Sequence, residues 1–370
     1  MSSEANSGPE PVPVARLQAF AAGALARAGL EADAAERAAE LIVRSDLAGA
    51  DGHGIFRLPQ YVRRLRAGGI NPSPSIRTVS ETAAMAVVDG DNGLGHLVMD
   101  RATGLAVEKA RDGGAAWIGV KGSNHAGAAS VWAAAMLPHD MIGLYLAVGS
   151  ANHMAPWGGT DLLLSTNPIA VAVPAGEEAP IVVDMATTVA AYGKVKIAAQ
   201  RGEPIPEGWM IDRQGRPLTD PARSADGLLV PSGGYKGYAL ALIFGLLAGT
   251  LNDAAFGADV IDFNKDDVSA TNTGQAVLAL SLSRFGGVEA FKRRVDLVVR
   301  QIRGSARLPG FDQVRVPGEN RVRLRDERVA GGIPIGRELK AALDKLADDI
   351  DIPKLSDSEA LFSGRARPMG

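Results

Sequence analysis

The chain has 370 residues, with 39 Lys and Arg against 42 Asp and Glu, 44 Gly and no Cys. This length exceeds the roughly 250–300 residues at which a single core stops growing, so two or three lobes are expected. A net charge of -3 supplies no electrostatic footprint for nucleic acid or an anionic membrane, and without Cys there is no disulfide, thiolate nucleophile or iron–sulfur cluster.

The first thirteen residues carry Glu4, Glu10 and Pro9, Pro11 and Pro13, with no basic stretch leading into an apolar core. They read as a disordered tail, not a signal peptide. Apolar positions Val14, Leu17, Phe20, Ala21, Ala24, Leu25 and Ala28 recur at helical spacing until Gly29. A second helix, capped by Asp33, runs through Ala48, and a third spans Arg57 to Ala67 and stops at Gly68-Gly69. A strand over Ala83 to Val88, a glycine-rich turn, a helix over Met99 to Arg111 and a strand over Ala116 to Val120 make a strand–helix–strand unit. Short apolar runs at Ile142 to Val148, Ala170 to Val173 and Ile181 to Val183 predict further buried strands of a central sheet. Gln200 to Leu228 turns polar and rich in Pro and Gly, which predicts an excursion from the core. Beyond it lie a buried helix at Tyr238 to Leu251, a strand at Ala276 to Leu282, an amphipathic helix at Glu289 to Arg303 and a last helix at Arg337 to Asp349. The uncharged stretch Gly237 to Asn252 falls short of the roughly 18–20 apolar residues of a membrane span.

Gly93-Leu-Gly95-His-Leu-Val98 follows a strand and precedes a helix, as a dinucleotide fingerprint would. Val98 stands where the third glycine permits close helix–strand packing, and the turn before it is long, so a structural tight turn is the better reading. Asp51-Gly52-His53-Gly54 with Arg57 lies between two helices. Two glycines there let the backbone bring an imidazole close to a ligand, and a guanidinium fork matches a carboxylate. A turn with a surface ion pair accounts for the same residues. In Ser123-Asn124-His125-Ala126-Gly127, a strand-end His beside small residues suits general acid/base work; a capping or core His is the alternative.

His153 lies in an elaborate loop, Ser150 to Gly159, whereas His96 and His139 read as structural. None of the five His has metal-ligand spacing, so no metal site is expected. Ser165-Thr166-Asn167-Pro168 and Asp184-Met-Ala-Thr187-Thr188 place polar groups at strand ends, where ligands bind and where helix caps also form. Gly233-Gly234-Tyr235-Lys236-Gly237 opens a helix with the glycines and Lys that favour phosphate, but lacks P-loop spacing.

Together these segments resemble the malate/L-lactate dehydrogenase family, whose members do not use a Rossmann fold and which includes ureidoglycolate, sulfolactate and cyclic imino-acid oxidoreductases. The likeness runs from about Arg16 to Pro334. It rests on Asp46-Leu-Ala-Gly-Ala-Asp51-Gly-His53-Gly-Ile-Phe-Arg57, Val88-Asp-Gly-Asp-Asn-Gly-Leu-Gly95, Gly122-Ser-Asn-His125, Ala155-Pro-Trp-Gly-Gly159, Thr166-Asn-Pro168, Asp184-Met-Ala-Thr187, Tyr235-Lys-Gly237 and Pro317-Gly-Glu319, in the family's order.

The resemblance implies an α+β protein: a non-Rossmann NAD(P)-binding mixed sheet, a helical lobe from both chain ends and a small inserted subdomain. Expected boundaries are tails at 1–13 and 357–370, a helical lobe from 14–75 with 320–356, a sheet domain from 76–199 with 230–319, and an insert at 200–229. It further implies a cytoplasmic homodimer without nucleic-acid or membrane partners, using NAD or NADP on a small 2-hydroxy or 2-oxo acid. His125 resembles the proton donor/acceptor, and His53 and Arg57 the catalytic and substrate-carboxylate pair. Thr166 and Asn167 resemble further substrate contacts. Ser150, Asp184, Met185, Ala186, Lys236, Gly318, Glu319 and Asn320 resemble the cofactor contacts. One departure concerns Gly52, where the family usually has Ser; a lost hydroxyl removes a hydrogen bond worth about 0.5–1.5 kcal/mol. Reduction of a cyclic imino acid uses the same groups. A catalytically silent metabolite-binding protein is the reading outside enzymes, opposed by the presence of both His125 and the Lys236 loop.

Overall fold

A computed structural model describes residues 9–357; the outer parts of both expected tails, 1–8 and 358–370, lie outside the described residues. In chain order the elements are β1 (Glu10–Val12), α1 (Val14–Arg27), α2 (Ala32–Leu47), α3 (Leu58–Ala67), β2 (Arg77–Glu81), β3 (Met85–Asp89), α4 (Gly95–Gly113), β4 (Ala115–Ser123), α5 (Ala129–Ala134), β5 (Met141–Ala147), β6 (Ile169–Val173) and β7 (Ile181–Met185). There follow α6 (Tyr192–Arg201), β8 (Met210–Ile211), β9 (Leu228–Leu229), α7 (Tyr235–Ala248), β10 (Thr273–Ser281), α8 (Val288–Arg303), α9 (Glu319–Gly331), β11 (Ile333–Ile335) and α10 (Arg337–Ile350). The described residues form two compact units: 9–73 with 320–357, and Pro74–Glu319.

The first unit is helical because its apolar residues repeat at the helical period. Helix α1 buries Leu17, Phe20, Ala21, Ala24 and Leu25, α3 buries Leu58, Tyr61, Val62 and Leu65, and α10 buries Leu343, Leu346, Ala347 and Ile350. Two expectations need correction. Glu10–Val12, read as tail, form a strand antiparallel to β11, because Val12, Ile333 and Ile335 give the pair a buried side; Pro11 is tolerated in so short a two-stranded ribbon. Asp33 does not cap α2: Glu31 holds the cap position without a side-chain bond, and Asp33 lies in the first turn, where a carboxylate still meets the positive helix end. Helix α9 was not foreseen, because its charged sequence carries little apolar period.

The second unit is a seven-stranded sheet in the order β2-β3-β4-β10-β5-β6-β7. Only β3 and β4 run parallel, joined by α4 as the strand–helix–strand pattern predicts; every other neighbouring pair is antiparallel. The register has a functional consequence. Ser123 lies opposite Thr273, Gln275 opposite Ala147, Leu146 opposite Ile169, and Ile169 opposite Met185. The ends of β4, β5 and β7 and the starts of β6 and β10 therefore share one end of the sheet.

Helix α4 begins at Gly95, a turn earlier than expected. Helix α7 is not buried all round: Gly237, Ala241, Gly245 and Ala248 form its buried stripe, while Leu240, Ile243 and Leu246 are 43%, 51% and 39% exposed. The small stripe lets the helix lie close to the sheet, since a Cβ on Gly274 of β10 would sit 2.3 Å from the Ala248 oxygen. Between α6 and β9 the excursion has a core of its own, made of Val195, Ile205, Met210, Leu218 and Leu229. Among the described residues no helix is long and apolar enough to cross a membrane.

Asn252, 4% exposed, ties the C-terminal end of α7 to β10 by donating through Nδ2 to the oxygens of Leu247, Ala248 and Gln275 at 3.2, 2.8 and 3.2 Å. Asn252→Ala leaves buried carbonyls unpaired and is expected to cost about 1–3 kcal/mol, seen as a lower urea midpoint at unchanged slope.

Candidate active site

The His125 loop leaves β4 at the shared end of the sheet and is fixed through Asn124, which is fully buried. Asn124 Nδ2 donates to the Asn92 and Gly93 oxygens and to Asn92 Oδ1 at 3.0–3.1 Å, while its Oδ1 accepts from Thr271 Oγ1 at 3.0 Å. Its main-chain oxygen accepts from Gln275 Nε2 on β10 at 3.0 Å. The His125 ring faces Phe263, centroids 5.6 Å apart, and the Gly127 amide donates to Nδ1 at 3.4 Å. Gly127 makes the tight turn back to Nδ1 at φ 75°.

Gly95 of the Gly93-Leu-Gly95 turn packs on this loop. A Cβ on Gly95 would lie 2.1 Å from the Asn124 oxygen and 2.6 Å from that of His125. The start of α4 is thus pressed directly onto the histidine's backbone, as the structural reading of that motif predicts.

Neighbouring loops are joined to the same end. Ser150 accepts through its main-chain oxygen from the Phe263 amide at 2.9 Å. Asn167, fully buried, accepts from the Gly149 amide at 3.1 Å and donates to the Ala241 oxygen of α7 at 2.8 Å. The Thr166 oxygen accepts both the amide and the hydroxyl of Thr187 at 2.9 Å, and the Thr187 oxygen in turn accepts the Ser232 amide. Asp184 Oδ2 accepts the Ser130 amide at 3.1 Å at the start of α5, so the cap role weighed for this acid is realised; Met185 beside it is 44% exposed. Ser150, Thr166, Asn167, Asp184 to Ala186 and His125 therefore converge, and Gly233-Gly234 lead on into α7 with Lys236 exposed in its first turn.

Gly318 lies flat against β7 at φ 88°, where a Cβ would be 2.6 Å from the Val182 amide. Glu319 closes that turn, accepting the Val316 amide at 3.1 Å. These features fit a dinucleotide: a cationic side chain at the positive end of a long helix and a glycine-lined backbone cradle suit a pyrophosphate.

His53, Arg57 and Asn320 belong to the helical unit. His53 is exposed, on a 3₁₀ turn over Asp51–His53. Arg57 Nε donates to the Gly52 oxygen at 3.0 Å, its guanidinium lies 5.6 Å from the Phe56 ring centroid, and burial lowers it from the usual arginine value. A Cβ on Gly52 would meet nothing within 4 Å. The departure from Ser is thus not imposed by packing. Asn320 is exposed near the start of α9.

Sequence reasoning missed four residues: Asn124 and Phe263, which hold His125, and Asp46 and Arg328, which hold the His53 turn. Asn124 stood inside a motif that could have flagged it. Phe263, in a polar stretch, carried no local signal. Among the described residues no group of three or more His, Asp or Glu could hold a metal ion.

A mixed sheet whose loops meet at one end, without the parallel order a Rossmann site needs, gives the chain a non-Rossmann α+β fold. Residues 12–344 match the family profile described as malate/L-lactate dehydrogenase, and the chain belongs to that family. It is 36% identical over 324 residues to malate/(S)-sulfolactate dehydrogenase of Methanothermus fervidus, covering 88% of this chain and 93% of that protein. The solved sulfolactate dehydrogenase of Methanocaldococcus jannaschii superposes with a TM-score of 0.86 at 34% identity, over 95% of this chain and all of that one. Δ1-Piperideine-2-carboxylate reductase of Pseudomonas syringae superposes with a TM-score of 0.81 at 31% identity, over 92% and 99% of the two chains. Relatives differ in cofactor: ureidoglycolate dehydrogenase of Escherichia coli K12 is named for NAD(+) and (2R)-3-sulfolactate dehydrogenase of Chromohalobacter salexigens for NADP(+), each 32% identical over 83–84% of this chain and 87–90% of its own length.

Two buried histidines make a pH prediction. Burial holds His96 down to about 3 and His153, stacked on Tyr192 with ring centroids 3.9 Å apart, down to about 4. The unfolded chain takes up these protons near pH 6.5 and the folded one does not. Stability from each group is therefore present above pH 6.5 and lost on acidification, by about 1.4 kcal/mol per pH unit. The melting temperature should fall from pH 6.5 to 4, and His153→Phe, which keeps a ring against Tyr192, should flatten that fall.

Proposed function

We propose that the chain transfers hydride between NAD or NADP and C2 of a small 2-hydroxy or 2-oxo acid of the malate, lactate or sulfolactate kind. The observation that carries this is His125, fixed through Asn124 at the sheet end where the Ser150, Thr166 and Asp184 loops converge. When bound, the nicotinamide supplies or accepts the hydride. The protein's own groups do the rest. As the imidazolium, His125 gives a proton to the C2 oxygen in reduction, and the neutral ring takes it back in oxidation. Arg57 holds the substrate carboxylate with its fork, His53 orients the acid beside it, and Thr166 lines the pocket wall. Asn167 contributes through the main chain it holds at Gly149 and α7. Ser150, Asp184 to Ala186, Lys236 and Gly318 to Asn320 would hold the dinucleotide, Lys236 supplying a positive charge suited to phosphate. A cytoplasmic homodimer is part of the same reading.

A second substrate class, a cyclic imino acid, is favoured by the likeness to the piperideine-2-carboxylate reductase. Its C=N needs the same proton and the same carboxylate clamp. Fluorescence titration with NADH and NADPH, then loss of nicotinamide absorbance with pyruvate, oxaloacetate, sulfopyruvate and Δ1-piperideine-2-carboxylate, ranks the substrates. Cofactor binding with no turnover of any of them would favour the silent binding protein instead.

His125→Ala is expected to abolish turnover while nucleotide affinity stays; a near-wild-type kcat would transfer the role to His53. Arg57→Lys should mainly raise KM and lower kcat/KM, because a point charge cannot copy bidentate geometry. Unchanged kinetics would remove Arg57 from the pocket.

A further inference from the structure

The turn that carries His53 and leads to Arg57 is gripped at both ends by residues with no part in the chemistry above. At one end Arg328 of α9, 7% exposed, donates through Nη1 and Nη2 to the two carboxylate oxygens of Asp51, and through Nη1 also to the Asp46 main-chain oxygen. At the other, the carboxyl of Asp46, 2% exposed near the end of α2, accepts the Ile55 amide at 2.8 Å. That carboxyl fills the space a Cβ on Gly54 would need, 2.1 Å away, so only glycine fits there. Arg57 Nε then returns to the Gly52 oxygen at 3.0 Å, inside the gripped segment.

We propose that Asp46 and Arg328 are positioning residues for the substrate-carboxylate site, holding the main chain of residues 51–55 so that His53 and Arg57 are pre-set before substrate arrives. The inference rests on the reading of His53 and Arg57 given above. Pre-setting matters because a carboxylate meeting a fork already in place does not have to order it.

The charge balance explains why one cluster contains two acids and one base. The guanidinium fork goes to Asp51. Asp46 accepts a main-chain amide instead, and its burial, reinforced by the Asp51 charge against the opposing pull of Ile55 and Arg328, raises its carboxyl to about 8. The charged groups facing Asp46 are Asp51 from the turn and Arg328 from α9. Near neutrality the pocket thus holds one negative charge and one positive charge. Above pH 8 a second negative charge enters, competes for Arg328 and loosens Asp51.

The test compares Arg328→Lys, Asp46→Leu and Asp46→Asn with Arg57→Lys, using the best-turned-over acid of the panel above. Arg328→Lys and Asp46→Leu are expected to raise KM about tenfold with kcat changed less than about twofold. NADH and NADPH affinity should stay, and amide exchange should quicken over residues 51–57. Asp46→Asn keeps an acceptor for Ile55 without a titrating group. It should keep a wild-type KM at pH 7 and lack the rise in KM expected of the wild type from pH 7 to 9. Unchanged KM in Arg328→Lys and Asp46→Leu, with Arg57→Lys raising it, overturns this proposal alone. Unchanged KM in Arg57→Lys overturns the carboxylate-site reading and this proposal with it. If Asp46→Leu does not fold, coincident KM–pH profiles for the wild type and Asp46→Asn overturn the role of Asp46.

Discussion

The pairing of β10 with β4 on one side and β5 on the other fixes where every loop of the sheet unit ends. Because β10 enters from a distant part of the sequence and runs antiparallel to both neighbours, its start lies beside the ends of β4 and β5. Gln275 on that strand reaches the Asn124 oxygen, and Thr271 just before it reaches Asn124 Oδ1. The position of the His125 imidazole is thus set by main-chain pairing between segments roughly 150 residues apart, with Asn124 as the joint. A shift of one residue in that register would turn Gln275 to the other face and release the loop.

Small residues make the close approaches on which this arrangement relies. Gly95 seats the start of α4 on the histidine backbone, Gly274 seats α7 on β10, and Gly54 admits the Asp46 carboxyl. In each case the neighbour is backbone or a buried polar group, so a methyl group there has no flexible side chain to displace. The many glycines of this chain are therefore dispersed over separate contacts instead of forming one phosphate loop.

Buried polar groups supply the remaining order. Asn124, Asn167 and Asn252 each bind main-chain groups of other segments, which costs little because their donors and acceptors are met. Asp46 illustrates the alternative for an acid: placed beside Asp51, with the fork of Arg328 given to that neighbour, it stays in the pocket by remaining neutral around pH 7.

The sequence by itself determined the helical segments, the strand–helix–strand unit and the chemistry-bearing motifs, because periodicity, turn residues and short polar runs are local properties. His125, Arg57, Thr166 and Lys236 could be picked out in this way before any fold was known. Tertiary structure alone decided what those motifs share. It placed the His125, Thr166 and Asp184 segments at one sheet end and engaged Asp184 at the start of α5. It also joined Glu10–Val12 to Ile333–Ile335, turned Leu240, Ile243 and Leu246 of α7 outward and brought Phe263 and Arg328 to loops far away in the chain. The physical reason is that strand register, close backbone approach and the partner of a buried charge depend on segments that lie apart in the chain, by 277 residues for Arg328 and Asp51. No window of sequence contains both sides of such a contact.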